Sequence, residues 1–154
     1  MKIPTHFNRS DEVEHFVAQF KDCTLPCERW THHAHLTVGL WYLLHYSPDT
    51  ALNLLRDGIK AYNMACGVPN STTRGYHETI TRFYVWLTDQ FLQNVDRSRP
   101  LLELRNALVE QYSSSELPLQ WWSRERLWST EARMAWLEPD LKRLRAEQKI
   151  ESAK

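Results

Sequence analysis

Apolar positions recur at helical spacing along most of the chain. After Asp11, the residues Val13, Phe16, Val17 and Phe20 fall at i, i+3 and i+4 intervals. With Asp11 as cap and Glu14 three residues behind it, this predicts a first helix ending near Cys23. "TLPCER" breaks the chain, and Thr31 is a good N-cap for a second helix through Tyr46. Ser47-Pro48 is a cap followed by a proline at the first helical position. Ala51, Leu52, Leu55, Ile59, Tyr62 and Ala65 then carry a third helix to Gly67.

"VPNSTTRG" is a loop by composition. The following "YHETITRFYVWLTDQFLQNV" places Ile80, Phe83, Tyr84, Leu87 and Phe91 on one face of a fourth helix. Pro100 opens a fifth run, "LLELRNALVEQY", which stops in "SSSELP". The Trp- and Arg-rich remainder reads as two short helical pieces broken at Pro139, followed by a charged tail. No strand alternation persists and no internal repeat is visible. The expectation is all-α, with residues 1–145 forming a single-domain helical bundle of about five to seven helices, sequential neighbours antiparallel. Residues 146–154 form a frayed tail.

Composition narrows the function classes. A chain of 154 residues can bury roughly 70% of its unfolded surface without a staple. Lys and Arg number 19 against 19 Asp and Glu, so no overall field draws the protein to a polyanion, and nucleic-acid binding is not expected. The N-terminus "MKIPTHFNRSDEVEHF" has no apolar leader core, and the longest mainly apolar run, "LTVGLWYLLHY", is too short to span a bilayer. Three cysteines, Cys23, Cys27 and Cys66, do not make a disulfide framework. They read as single buried thiols of a soluble, cytoplasmic protein without membrane contact.

The candidate chemistry lies in "WTHHAHL" at 30–36 and in His77. At about 100° per residue, His32 as zero puts His35 near −60°, Leu36 near +40°, Gly39 near −20° and Leu43 near +20°. His32 and His35 thus fall on the apolar arc, His33 at its edge and His45 roughly opposite. Taking His77 as zero gathers Ile80, Thr81, Tyr84, Thr88 and Phe91 within about 60° of it. Helices two and four should run parallel, which brings their first turns to one end of the bundle.

Two imidazoles at i, i+3 and a third from a neighbouring helix can hold a divalent transition metal, Zn, Fe or Cu, with coordination positions left open. Helix N-termini disfavour imidazolium and favour an anionic substrate. Glu78 is the candidate base and Arg74 the candidate anchor for a small-molecule substrate.

Plainer readings stand beside this one. The histidines can be partly buried polar residues bonded to carbonyls and water, and Glu78 can simply complement the helix dipole. Cys23, Cys27, His32 and His35 also spell C-x3-C-x4-H-x2-H, a tight structural-zinc spacing in a chain that needs no zinc to fold. Trp121, Trp122, Trp128 and Trp136 can line a pocket or cover the core.

"WTHHAHL", "CGVPN" at 66–70, "GYHETITR" at 75–82 and "ERLWSTEARMAWLEPDL" at 125–141 carry a resemblance. The chain resembles an uncharacterised family of small all-helical bacterial proteins with THxxHL, GYHET and EARxxWxEPDL motifs. The resemblance covers most of the chain and implies no activity. His32, His35 and His77 fall on motif positions, Cys66 stands where the family has histidine, and the long C-terminal match suggests a cover over the site. The functional expectation is therefore a metal-dependent enzyme, hydrolytic or redox, on His32, His35 and His77. A non-catalytic interaction module with a Trp- and Arg-rich contact surface is the alternative.

Overall fold

The computed structural model describes residues 6–145, so the expected tail at 146–154 lies outside the described residues. Seven α-helices occur among them: α1 Ser10–Lys21, α2 His32–His45, α3 Pro48–Ala65, α4 Glu78–Gln93, α5 Leu101–Gln111, α6 Arg124–Leu127 and α7 Thr130–Met134. Short 3-10 turns occupy Cys27–Arg29 and Leu117–Gln120. The described chain is an all-α bundle, and none of its helices is long and apolar enough to cross a membrane.

The caps explain most of the boundaries. Thr31 accepts the Ala34 N–H at 3.2 Å, Ser123 accepts that of Arg126 at 3.3 Å, and Ser129 accepts that of Ala132 at 3.1 Å. α1 begins one residue before Asp11, because Glu12 and not Glu14 reaches back. Its Oε1 accepts the backbone N–H groups of Asn8 and Arg9 at 2.6 and 3.0 Å.

α2 packs against α1, α3, α4 and α5. That is why its sequence is apolar nearly all round, with Ala34, Leu36, Val38, Leu40 and Leu43 buried. The "EARMAWLEPDL" segment folds back over α4. Trp122, fully buried, meets Phe83 and Trp136 edge to face at 5.5 and 5.6 Å, and its Nε1 donates to the Leu137 carbonyl at 2.8 Å. Thr79 on α4 stitches the same strap down, donating to the Ala135 carbonyl at 2.8 Å and accepting from the Leu137 N–H at 3.0 Å.

The cysteine reading is corrected. Cys27 and Cys66 form a disulfide, their Cα atoms 5.9 Å apart, and only Cys23 is free. α3 ends beside the turn that precedes α2, which brings together two cysteines 39 positions apart. The C-x3-C-x4-H-x2-H zinc reading thereby loses its second thiolate.

Candidate functional site

A cavity of about 390 Å³ lies between α2, α3 and α4, within the range of small-molecule sites. Leu36, Leu55, Ile59, Ile80 and Val85 make most of its wall apolar, while Asn63, Tyr76, His77, Thr81 and Tyr84 add polar groups. Trp30 forms one side, stacked on Phe20 at 4.8 Å and 5.1 Å from the ring of Tyr62. Gly39 also lines it, and a Cβ built there would meet no atom within 4 Å. Any larger side chain at this position would project into the empty space.

His35 stands at the mouth of this cavity with its ring 4.0 Å from that of Trp30. It is exposed, so helical phase placed it wrongly on the core side. The error has a physical source. A helix surrounded by four partners has apolar residues on almost every face, and its apolar arc says little about which side is left open. The open side is the one carrying His35 and Gly39, one turn apart.

His77 is buried in the same wall, at the N-cap of α4 rather than in its first turn. Both ring nitrogens are engaged. Nδ1 accepts the Ile80 N–H at 3.1 Å, and Nε2 donates to the Leu127 carbonyl at 2.7 Å. This pattern fixes the neutral Nε2–H tautomer. His32 lies outside the cavity lining, where its Nε2 donates to the Tyr112 carbonyl at 2.9 Å and its ring sits 5.5 Å from that of Tyr84. Burial holds both imidazoles below their usual pKa.

The three sequence-predicted ligands are thus divided: His35 and His77 share a cavity, and His32 does not. Among the described residues no three of His, Cys, Asp or Glu gather as a metal-holding group.

Glu78 faces a second groove, on the α7 side of α4. Arg56 grips its carboxylate with two hydrogen bonds, Nε to Oε1 at 2.9 Å and Nη2 to Oε2 at 2.7 Å, while Tyr76 Oη donates to Oε1 at 2.8 Å. Burial pushes the carboxyl up, but Arg56 and Tyr76 outweigh it and hold the group below its usual range. Such a carboxylate is poorly suited to abstract a proton. Arg74 is exposed in the loop before α4, its N–H bonded to Ser71 Oγ at 3.1 Å, and lines neither space.

That loop is shaped by Asn70 and Gly75. Asn70 Oδ1 accepts the Tyr76 N–H at 3.0 Å and Asn63 Nδ2 at 3.0 Å. Gly75 has φ +81°, and a Cβ there would sit 2.4 Å from the Pro69 carbonyl oxygen. Its own carbonyl accepts from Arg133 Nη1 at 3.0 Å, tying the loop to α7.

Sequence reasoning missed two features. The Arg56 clamp on Glu78 has no local signal, because it joins residues 22 apart on different helices. Tyr84 was legible as an inward residue, but not as the owner of a buried hydroxyl that lacks a hydrogen-bond partner among the described residues. No family model, no curated protein and no solved structure matches the chain.

Proposed function

We propose that this protein binds a small, mostly apolar molecule in the cavity between α2, α3 and α4. The observation that carries the reading is the cavity itself, of ligand size, aromatic on one side and kept empty by glycine at position 39. Tyr84 lines the same cavity, and its hydroxyl is buried with no hydrogen-bond partner among the described residues. A buried hydroxyl left unpaired costs about 1–3 kcal/mol, which an acceptor on the ligand would recover.

Acetophenone and isopropylbenzene, alike in shape but differing in a carbonyl, serve as probes by ligand-observed NMR. Both are expected to bind, acetophenone about fivefold more tightly, as one net hydrogen bond of about 1 kcal/mol requires. Tyr84→Phe should erase the preference, and Gly39→Leu should abolish binding of both while raising helix stability by up to about 1 kcal/mol. Binding to Gly39→Leu as strong as to the wild type would sink the reading.

The second reading is a metal-dependent enzyme using Zn, Fe or Cu on His32, His35 and His77, favoured by the presence of His35 and His77 on one cavity. It asks His77 Nε2 to give up its proton and the Leu127 carbonyl, since Nδ1 already serves the α4 cap. Stoichiometric metal in untagged protein, with a metal-dependent rise in melting temperature lost in His77→Asn, would establish it over the first.

A further inference from the structure

The second groove, about 450 Å³ between α3, α4 and α7, is lined by an uneven balance of charge. Overall the protein is neutral, with 19 basic and 19 acidic residues. The groove is lined by four cations, Arg56, Lys60, Arg82 and Arg133, against the single carboxylate of Glu78, a formal excess of three positive charges. Glu78 is ion-paired to Arg56, and Arg82 feels its charge without a direct contact. Lys60, Arg82 and Arg133 form no salt bridge among the described residues.

Each of the three is held where it stands. Lys60 Nζ lies 5.2 Å from the Tyr76 ring centre, and the Arg82 guanidinium lies 5.0 Å from that of Trp136. Arg133 is only partly exposed, and its Nη1 donates to the Gly75 carbonyl. A partly desolvated guanidinium with no ion-pair partner among the described residues is costly, and burial accordingly lowers its pKa. Like-charged groups gathered around one concavity, one of them partly buried, are the reverse of what stability alone selects. They suit a dianion, which relieves the mutual repulsion and takes bidentate hydrogen bonds from the arginines.

We infer that this groove is a binding site for a phosphomonoester, with the phosphoryl group among Lys60, Arg82 and Arg133 and the organic part toward Met134, Ala135 and Trp136. The site is separate from the apolar cavity, and Tyr76 stands in the wall of both.

Calorimetric titration with phenyl phosphate and with inorganic phosphate, at fixed ionic strength, tests this. Saturable binding of both is expected, phenyl phosphate the tighter. The double variant Lys60→Gln/Arg82→Gln, whose substituted side chains are exposed, should weaken both at least tenfold. Arg99→Gln, a surface pair beyond the far end of α4, and Gly39→Leu should leave them unchanged. Absence of saturable binding in the wild type, or a double variant that binds as the wild type does, would overturn the site. Loss in Gly39→Leu would do the same by moving the anion to the other cavity.

Discussion

Reducing the Cys27–Cys66 bond is expected to lower the stability of this protein by about 4 kcal/mol, the loop-closure entropy of a cross-link spanning about 40 residues. Against a total of about 5–15 kcal/mol for a domain, this is a large share. At about 2–4 °C per kcal/mol for a chain of this length, the melting temperature should fall by roughly 8–16 °C in excess dithiothreitol. Cys27→Ser, Cys66→Ser and the reduced wild type should melt together, since each removes the same constraint. Cys23→Ser should retain the full response to reductant, because Cys23 is the free thiol. A reduced wild type melting within about 2 °C of the oxidised protein would show that the cross-link contributes nothing. The bond also has a local consequence. Cys27 opens the turn that leads to Trp30, and Cys66 caps α3 just after Asn63, so both ends of the cross-link adjoin walls of the apolar cavity. The reduced protein should therefore bind acetophenone more weakly than its residual stability alone would suggest.

The five longer helices were legible because each is long enough for its period to show and several carry their own caps. Thr31 and Ser47 needed only local sequence, whereas the last two short helices are divided at Ser129 and not at the expected break, Pro139. The site was legible in part. Helical phase turns His77 inward and it is buried, yet inward position does not tell what an imidazole does there. Its partner is the Leu127 carbonyl, 50 residues on, and that of His32 is the Tyr112 carbonyl, 80 residues on. Backbone acceptors leave no trace in side-chain patterns, so two histidines serving carbonyls and two awaiting a metal look alike in sequence. The disulfide was illegible for a related reason. Three cysteines allow three pairings, and the length and direction of α3 choose among them.

Acid should destabilise this protein from an unusually high pH, because His32 and His77 are both held neutral. For His77 the cause is structural as well as dielectric. Protonation of Nδ1 would remove the acceptor for the Ile80 N–H and place a cation at the positive end of α4. Beside burial, Arg133 also disfavours the charged form of His77, and His33 that of His32. Above about pH 6.5 both states of the chain hold these rings neutral, and stability does not depend on them. As pH falls through that value the unfolded chain binds protons that the folded chain refuses, so stability declines until the lowered folded pKa is reached. Each histidine contributes a slope of up to about 1.4 kcal/mol per pH unit, and the two together up to about 2.7. Glu78, whose folded pKa is also depressed, acts in the same direction but only as pH falls below about 4.3. Urea denaturation between about pH 7.5 and 5 separates these contributions. His77→Asn keeps an N-cap acceptor for Ile80 and loses the bond to Leu127, so it should cost about 1–3 kcal/mol at neutral pH while removing one histidine's share of the slope. His32→Gln should remove the other share. A double variant that declines with acid as steeply as the wild type would show that the two buried imidazoles are not what the folded state protects from protons.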